Sequence, residues 1–96
     1  MPLSIRFSPE SEETFEALVE QLNQRWGKKY VAKFKEETIK SLKLISNSPY
    51  LYPIADQDRD VRKCVLHKNC AMFYKIQEQY IMVLYFWDNR QDPILR

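Results

Sequence analysis

Apolar and polar positions change rhythm three times along this chain. Leu3, Ile5 and Phe7 alternate with Ser4 and Arg6, the period-2 pattern of a half-buried strand. Ser8-Pro9 stops it. A serine N-cap, a proline at the first helical position and Glu10, Glu12 and Glu13 in the opening turn predict a helix start. Phe15, Leu18, Val19, Leu22 and Trp26 then recur at helical spacing, and Gly27 stands where a C-terminal cap belongs. Val31, Phe34, Thr38, Leu42 and Ile45 line one face of a second helix, whose exposed face carries Lys28, Lys29, Lys33, Lys35, Lys40 and Lys43. Asn47-Ser48-Pro49 ends it. The two helices are expected to form an αα-hairpin.

The second half reads as β. Tyr50 to Asp60 contains Pro53 and three aspartates without a clear period, which predicts a connection across the surface. Val61 to Leu66 forms one strand, a turn falls near His67-Lys68-Asn69, and Cys70 to Ile76 returns. Gln77-Glu78-Gln79 makes the next turn. Tyr80 to Trp87 is an unbroken apolar and aromatic run, expected to be a central strand buried on both faces. It falls well short of the about 20 residues a membrane helix needs. Short turns imply antiparallel neighbours. The expected fold is a single α+β domain over residues 1–96, in the order β-α-α-β-β-β. An N-terminal strand and an αα-hairpin precede a three-stranded antiparallel meander, with the helices packed on one face of a small antiparallel sheet.

Composition narrows the chemistry. With 45% apolar and 29% charged residues, the chain has the make-up of a folded globular domain. A single glycine excludes a glycine-rich phosphate loop. Arg6 and the acidic run from Glu10 interrupt any signal-like apolar core, so a cytoplasmic protein with free Cys64 and Cys70 thiols is expected. Cys64, His67 and Cys70 are spaced like metal ligands, but no fourth Cys or His exists, and neither a metal nor a cofactor is expected. Asp56, Asp58 and Asp60 lack the glycine and glutamate of a calcium loop. His67, the only histidine, is the default general base if the protein is an enzyme.

The basic residues carry more information. Arg59, Arg62, Lys63, His67 and Lys68 lie on one strand and turn, and Arg90 follows the strand from Tyr80. They form either an anion-binding patch or an ordinary solvated face. Asp88, Asn89 and Arg90 directly follow Trp87, where a buried strand delivers a polar loop. Thirteen aromatic residues in 96 are many for one small core. An apolar groove for a partner segment is therefore expected along the helical stripes or the Tyr80–Trp87 strand.

The N-terminal strand ending in Ser-Pro, the charged αα-hairpin, Val61-Arg62-Lys63, Met72-Phe73-Tyr74-Lys75-Ile76 and the ending Arg90-Gln91-Asp92-Pro93 together resemble the RelE/ParE superfamily of bacterial toxins. The resemblance runs along essentially the whole chain on short, loose motifs. It implies the toxin half of a type II toxin–antitoxin module, bound and held inactive by a cognate antitoxin protein. It also implies one of two targets: DNA gyrase for ParE-like members, or the ribosome and its mRNA for RelE-like endonucleases. Where the RelE stretch has an arginine, this chain has Ala71, and no tyrosine follows Arg90. The ending resembles the ParE type, with Gln91 in the place of its arginine. The resemblance thus leans to ParE, with Arg62, Lys63, His67, Lys68, Trp87, Asp88, Asn89 and Arg90 as target-binding residues. On the RelE reading, Arg62, Lys63, His67 and Arg90 are the catalytic candidates. A degenerate member that only binds antitoxin, a homodimer and a toxin–antitoxin hetero-oligomer all remain open.

Overall fold

A computed structural model of the chain describes residues 2–67 and 70–88. Its elements are β1 (Ser4–Phe7), α1 (Pro9–Trp26), α2 (Lys28–Asn47), β2 (Ile54–Asp56), β3 (Val61–His67), β4 (Cys70–Ile76) and β5 (Tyr80–Asp88). The helix signals act as the sequence predicts. Ser8 caps α1, its Oγ accepting from the Ser11 amide at 3.0 Å, with Pro9 at the first turn. Gly27 separates the helices alone: its N–H closes α1 on the Asn23 carbonyl at 2.9 Å, and its φ of 89° turns the chain into α2. That backbone region is open to glycine and strained for other residues.

The five strands form one mixed sheet in the order β1-β5-β4-β3-β2. β3, β4 and β5 are the antiparallel meander, and β1 runs parallel to β5, with Ser4 opposite Tyr80 and Phe7 opposite Val83. Two points depart from the sequence reading. The supposed loop at Tyr50–Asp60 contains β2, an edge strand of three residues paired to β3 through Ile54 opposite Arg62 and Asp56 opposite Val61. The sheet is also not wholly antiparallel, because the αα-hairpin carries the chain back over it before β5 is laid beside β1.

Both helices pack on the same face. Leu18 and Leu22 of α1 and Val31, Phe34 and Ile45 of α2 meet Cys64, Met72, Tyr74, Ile81, Val83 and Phe86 from the sheet. The Tyr74 hydroxyl, wholly buried, donates to the Pro49 carbonyl at 2.8 Å. Trp26, last in the α1 stripe, falls outside this core and is 45% exposed. Burial also raises the pKa of the Cys64 thiol, and Cys64 and Cys70 are buried free cysteines. No helix among the described residues is long and apolar enough to cross a membrane.

β5 outruns β1. Beyond Val83 its outer edge would present unpaired backbone groups, and α1 covers them. Ser8 donates its amide to the Val83 carbonyl at 3.0 Å and its hydroxyl to the Leu84 carbonyl at 2.7 Å. Thr14 Oγ1 accepts the Phe86 amide at 2.9 Å. At this point the register slips, since Tyr74 faces Val83 while Phe73 faces Tyr85. Leu84 is the extra residue of a bulge, which re-aims the strand's last residues.

Candidate binding face of the sheet

Strand alternation sorts the candidate residues onto two faces. Cys64 lies opposite Met72 and Met72 opposite Phe86, all buried beneath the helices. The intervening residues therefore point to the other side, which no helix among the described residues covers. There the register aligns Lys63, Phe73 and Tyr85 in one row, Val65, Ala71 and Trp87 in a second, and Val61, Lys75 and Met82 in a third. Tyr80–Trp87 is thus not buried on both faces: Ile81, Val83 and Phe86 are buried, Met82 and Tyr85 half-buried, and Trp87 37% exposed. The run is apolar throughout because its open side is lined with aromatic and aliphatic groups.

Phe73 and Tyr85 stack with their rings 4.7 Å apart and 20° from parallel, and the Lys63 ammonium lies 5.9 Å from the Phe73 centroid. A cleft of about 720 Å³ runs over this pair, bordered by Glu10 of α1, Asp56 at the end of β2, Arg59 beyond it, Lys75 and Trp87. Burial, then the Glu10 carboxylate, raise the pKa of the Tyr85 hydroxyl above the ordinary phenol value, with Asp56 adding to the effect and Arg59 opposing it. At neutral pH Tyr85 is a hydrogen-bond donor between groups of both signs. A carboxylate, a phosphate or a peptide amide has a partner here, and a flat group has the aromatic pair.

The structure divides the residues expected to act together. Lys63 is on the open face, but Arg62 points the other way: its Nη1 donates to the Tyr52 carbonyl at 2.6 Å and its guanidinium lies 5.0 Å from the Tyr50 ring centroid. His67 faces the helical hairpin, with both ring nitrogens 3.0 Å from the Tyr30 hydroxyl. Trp87 borders the open cleft, whereas Asp88, one position on, is 3% exposed. Lys68, Asn89 and Arg90 lie outside the described residues. Glu10, Asp56, Phe73, Lys75 and Tyr85 join the cleft, though none was among the target-binding residues expected from sequence. A usable signal existed for part of it: period 2 along Val61–Leu66 already separates Arg62 from Lys63, and Phe73 falls opposite Lys63, whereas Tyr85 reaches that face only through the bulge at Leu84.

An αα-hairpin packed on one side of a mixed five-stranded sheet is a fold that this chain shares with solved chains of two toxin–antitoxin systems. A chain of the chromosomal ParDE toxin–antitoxin system of P. aeruginosa superposes with a TM-score of 0.74 at 11% identity, over 90% of this chain and 95% of the other. A chain of the E. coli DinJ–YafQ toxin–antitoxin complex does so with a TM-score of 0.63 at 10% identity, over 95% and 97%. No protein-family model matches the sequence, and no curated protein does.

Proposed function

We propose that residues 1–96 form the toxin domain of a bacterial type II toxin–antitoxin module, acting in the cytoplasm and neutralised by a cognate antitoxin. The toxin engages a macromolecular target, DNA gyrase, through the open face of the sheet and without covalent chemistry of its own. The observation that carries this reading is the uncovered row Lys63–Phe73–Tyr85, with Trp87 beside it, in a fold shared with chains of two toxin–antitoxin systems. Aromatic side chains held by a sheet present large contact area at little entropic cost, as anchors of protein interfaces do. The sequence-based assignment of Arg90 to target binding, as a carboxylate- or phosphate-binding fork, is kept as part of this reading.

The antitoxin has a separate place to dock. A groove of about 440 Å³ opens between the helices beside β1, lined by Phe7, Phe15, Ile39, Leu42 and Phe86 with Lys35 and Glu12 at its rim. Phe7 and Ile39 are 45% and 53% exposed there. An amphipathic antitoxin helix fits such a groove, and hydrogen exchange with and without antitoxin should show protection gained at Ile39 and Phe7.

RNA cleavage is the second reading, favoured by one observation: a lysine beside a stacked aromatic pair suits a phosphate next to an unstacked base. Against it, Ala71 occupies the open-face position where the RelE stretch has arginine, and the one histidine faces the helices. Gyrase supercoiling and in-cell mRNA cleavage, measured side by side after induction, separate the two. Inhibited supercoiling with intact mRNA supports the first reading, and cut mRNA with unaffected supercoiling overturns it. Tyr85→Ala and Arg90→Ala should each relieve growth arrest while antitoxin still binds.

A further inference from the structure

Five of the chain's fifteen basic residues, Arg25, Lys28, Lys29, Lys33 and Lys35, fall within residues 21–35, where no acidic residue occurs. The remainder of the chain is therefore net −3 against a total of +2, and the small net charge conceals a cationic pole. With only Gly27 between the helices, Arg25, Lys28 and Lys29 meet at the tip of the hairpin. Lys33 follows one turn after Lys29, and Lys35 lies further along α2, sharing a cleft with Lys28 and with Glu16 and Glu20 of α1. Among the described residues none of the five forms an ion pair.

The arrangement runs against helix electrostatics. The first turn of α2 contains no acidic residue, and Gly27 supplies no side-chain cap. Lys28 and Lys29 instead crowd the positive end of the helix dipole, where cations are disfavoured. Folding alone gives no reason for this, and local rules are commonly broken where a function takes over. Flat groups accompany the charge. The Arg25 guanidinium lies 5.6 Å from the Trp26 ring centroid, Tyr30 packs on Trp26 at 4.8 Å, and His67 meets Tyr30 edge-on at 5.2 Å. Trp26 remains 45% exposed, a large apolar ring held at a polar, cationic tip.

We propose that this hairpin tip binds the phosphate backbone of a nucleic acid. Arg25, Lys29 and Lys33 neutralise phosphates, with Lys29 and Lys33 one helical turn apart, and the Trp26 ring receives an unstacked base. Unpaired cations beside an exposed stacked aromatic are the two components of single-strand binding surfaces. An acidic peptide would match the charges but leave the indole without a role. The surface lies at the end of the helical layer, away from the open sheet face, so the proposal does not depend on which target that face engages.

Fluorescence anisotropy of the full chain with labelled single-stranded RNA, single-stranded DNA and duplex DNA tests it and distinguishes the source of the phosphates. Affinity for at least one form should fall as salt rises from about 50 to 200 mM. A logarithmic slope near −2 is expected for three phosphates on a single strand, at roughly 0.7 each. Lys29→Glu/Lys33→Glu should weaken binding at least tenfold. Lys40→Glu/Lys43→Glu, the same charge change further along α2, should stay within about threefold. Trp26→Ala should lower single-strand affinity about tenfold, a typical loss for one stacked base, while leaving duplex binding nearly unchanged. If charge reversal unfolds the hairpin by circular dichroism, Lys29→Gln/Lys33→Gln takes its place. No salt-dependent binding, equal losses in the two double variants, or polyglutamate competing as well as nucleic acid at matched charge would each overturn the proposal. A Trp26→Ala variant with unchanged single-strand affinity would remove the base-stacking part.

Discussion

Phe73 and Tyr74 are neighbours in β4 and look in opposite directions. Tyr74 lies under the helices with no exposed surface, and its hydroxyl is committed to Pro49. Phe73 lies on the uncovered side, half-buried, stacked on Tyr85 with Lys63 above it. The same contrast divides Arg62 from Lys63 on β3. One face spends its polar groups on internal partners and so holds the fold together. The other keeps aromatic and charged groups facing outward with fewer internal partners, which is the condition for contact with something else. On the proposed reading, adjacent residues in one strand divide stability from target binding.

Paired substitutions test that division. Tyr74→Ala should cost about 3–5 kcal/mol through lost burial and the cavity left behind, enough to unfold much of the protein near 37 °C. Phe73→Ala should cost only about 1 kcal/mol, the order of an exposed aromatic stack, while abolishing growth inhibition. Thermal melts beside a toxicity assay read both, and a Phe73→Ala variant as unstable as Tyr74→Ala would erase the contrast. Arg62→Ala should lose about 1–2 kcal/mol with its charge-assisted bond to the Tyr52 carbonyl. Lys63→Ala should fall within ±0.5 kcal/mol of the parent yet lose target affinity.

Alkaline pH offers a test of the covered face without gross repacking. Burial pushes the Tyr74 pKa up to about 12, from an ordinary value of about 10. The folded state thus holds the phenolic proton after the unfolded state has released it. The stability this contributes is complete below about pH 10 and is lost as pH rises toward 12, by roughly 2 kcal/mol at most. Tyr74→Phe should lose about 1 kcal/mol at neutral pH and show a shallower alkaline decline, measured by urea denaturation at several pH values. Tyr52 and Tyr85, also raised, keep part of that slope. A local effect is expected where the two faces meet at the bulge. Thr14→Val removes the acceptor of the Phe86 amide and should cost about 1 kcal/mol, with faster hydrogen exchange at Phe86 as its specific sign.

The helices were legible because their signals are local: Ser8-Pro9 with its glutamates, Gly27, and two apolar stripes. The bounds of β3, β4 and β5 were legible for the same reason. β2 was not, since three residues beside Pro53 and the aspartates make no period, and only pairing to Arg62 and Val61 makes Ile54–Asp56 a strand. The parallel β1–β5 pair leaves no mark in either segment. The candidate binding face was half legible. Lys63 and Trp87 were candidates from charge and position, but Glu10, Asp56 and Tyr85 come from an acidic helix turn, a connection and an apolar run. Each looked ordinary in its own segment, and only the fold assembles them.

That parallel pair also has a consequence in time. Ser4 finds its partner in Tyr80, so β1 must wait for β5 before this sheet can be completed. Contacts that close so long a stretch of chain form late in folding and slow it. Lys63, on β3, leaves the ribosome well before Tyr85 and Trp87, which arrive with β5. A nascent chain can gather its helices while its open face is still missing a strand. The surface proposed to arrest growth is then assembled only once β5 has emerged.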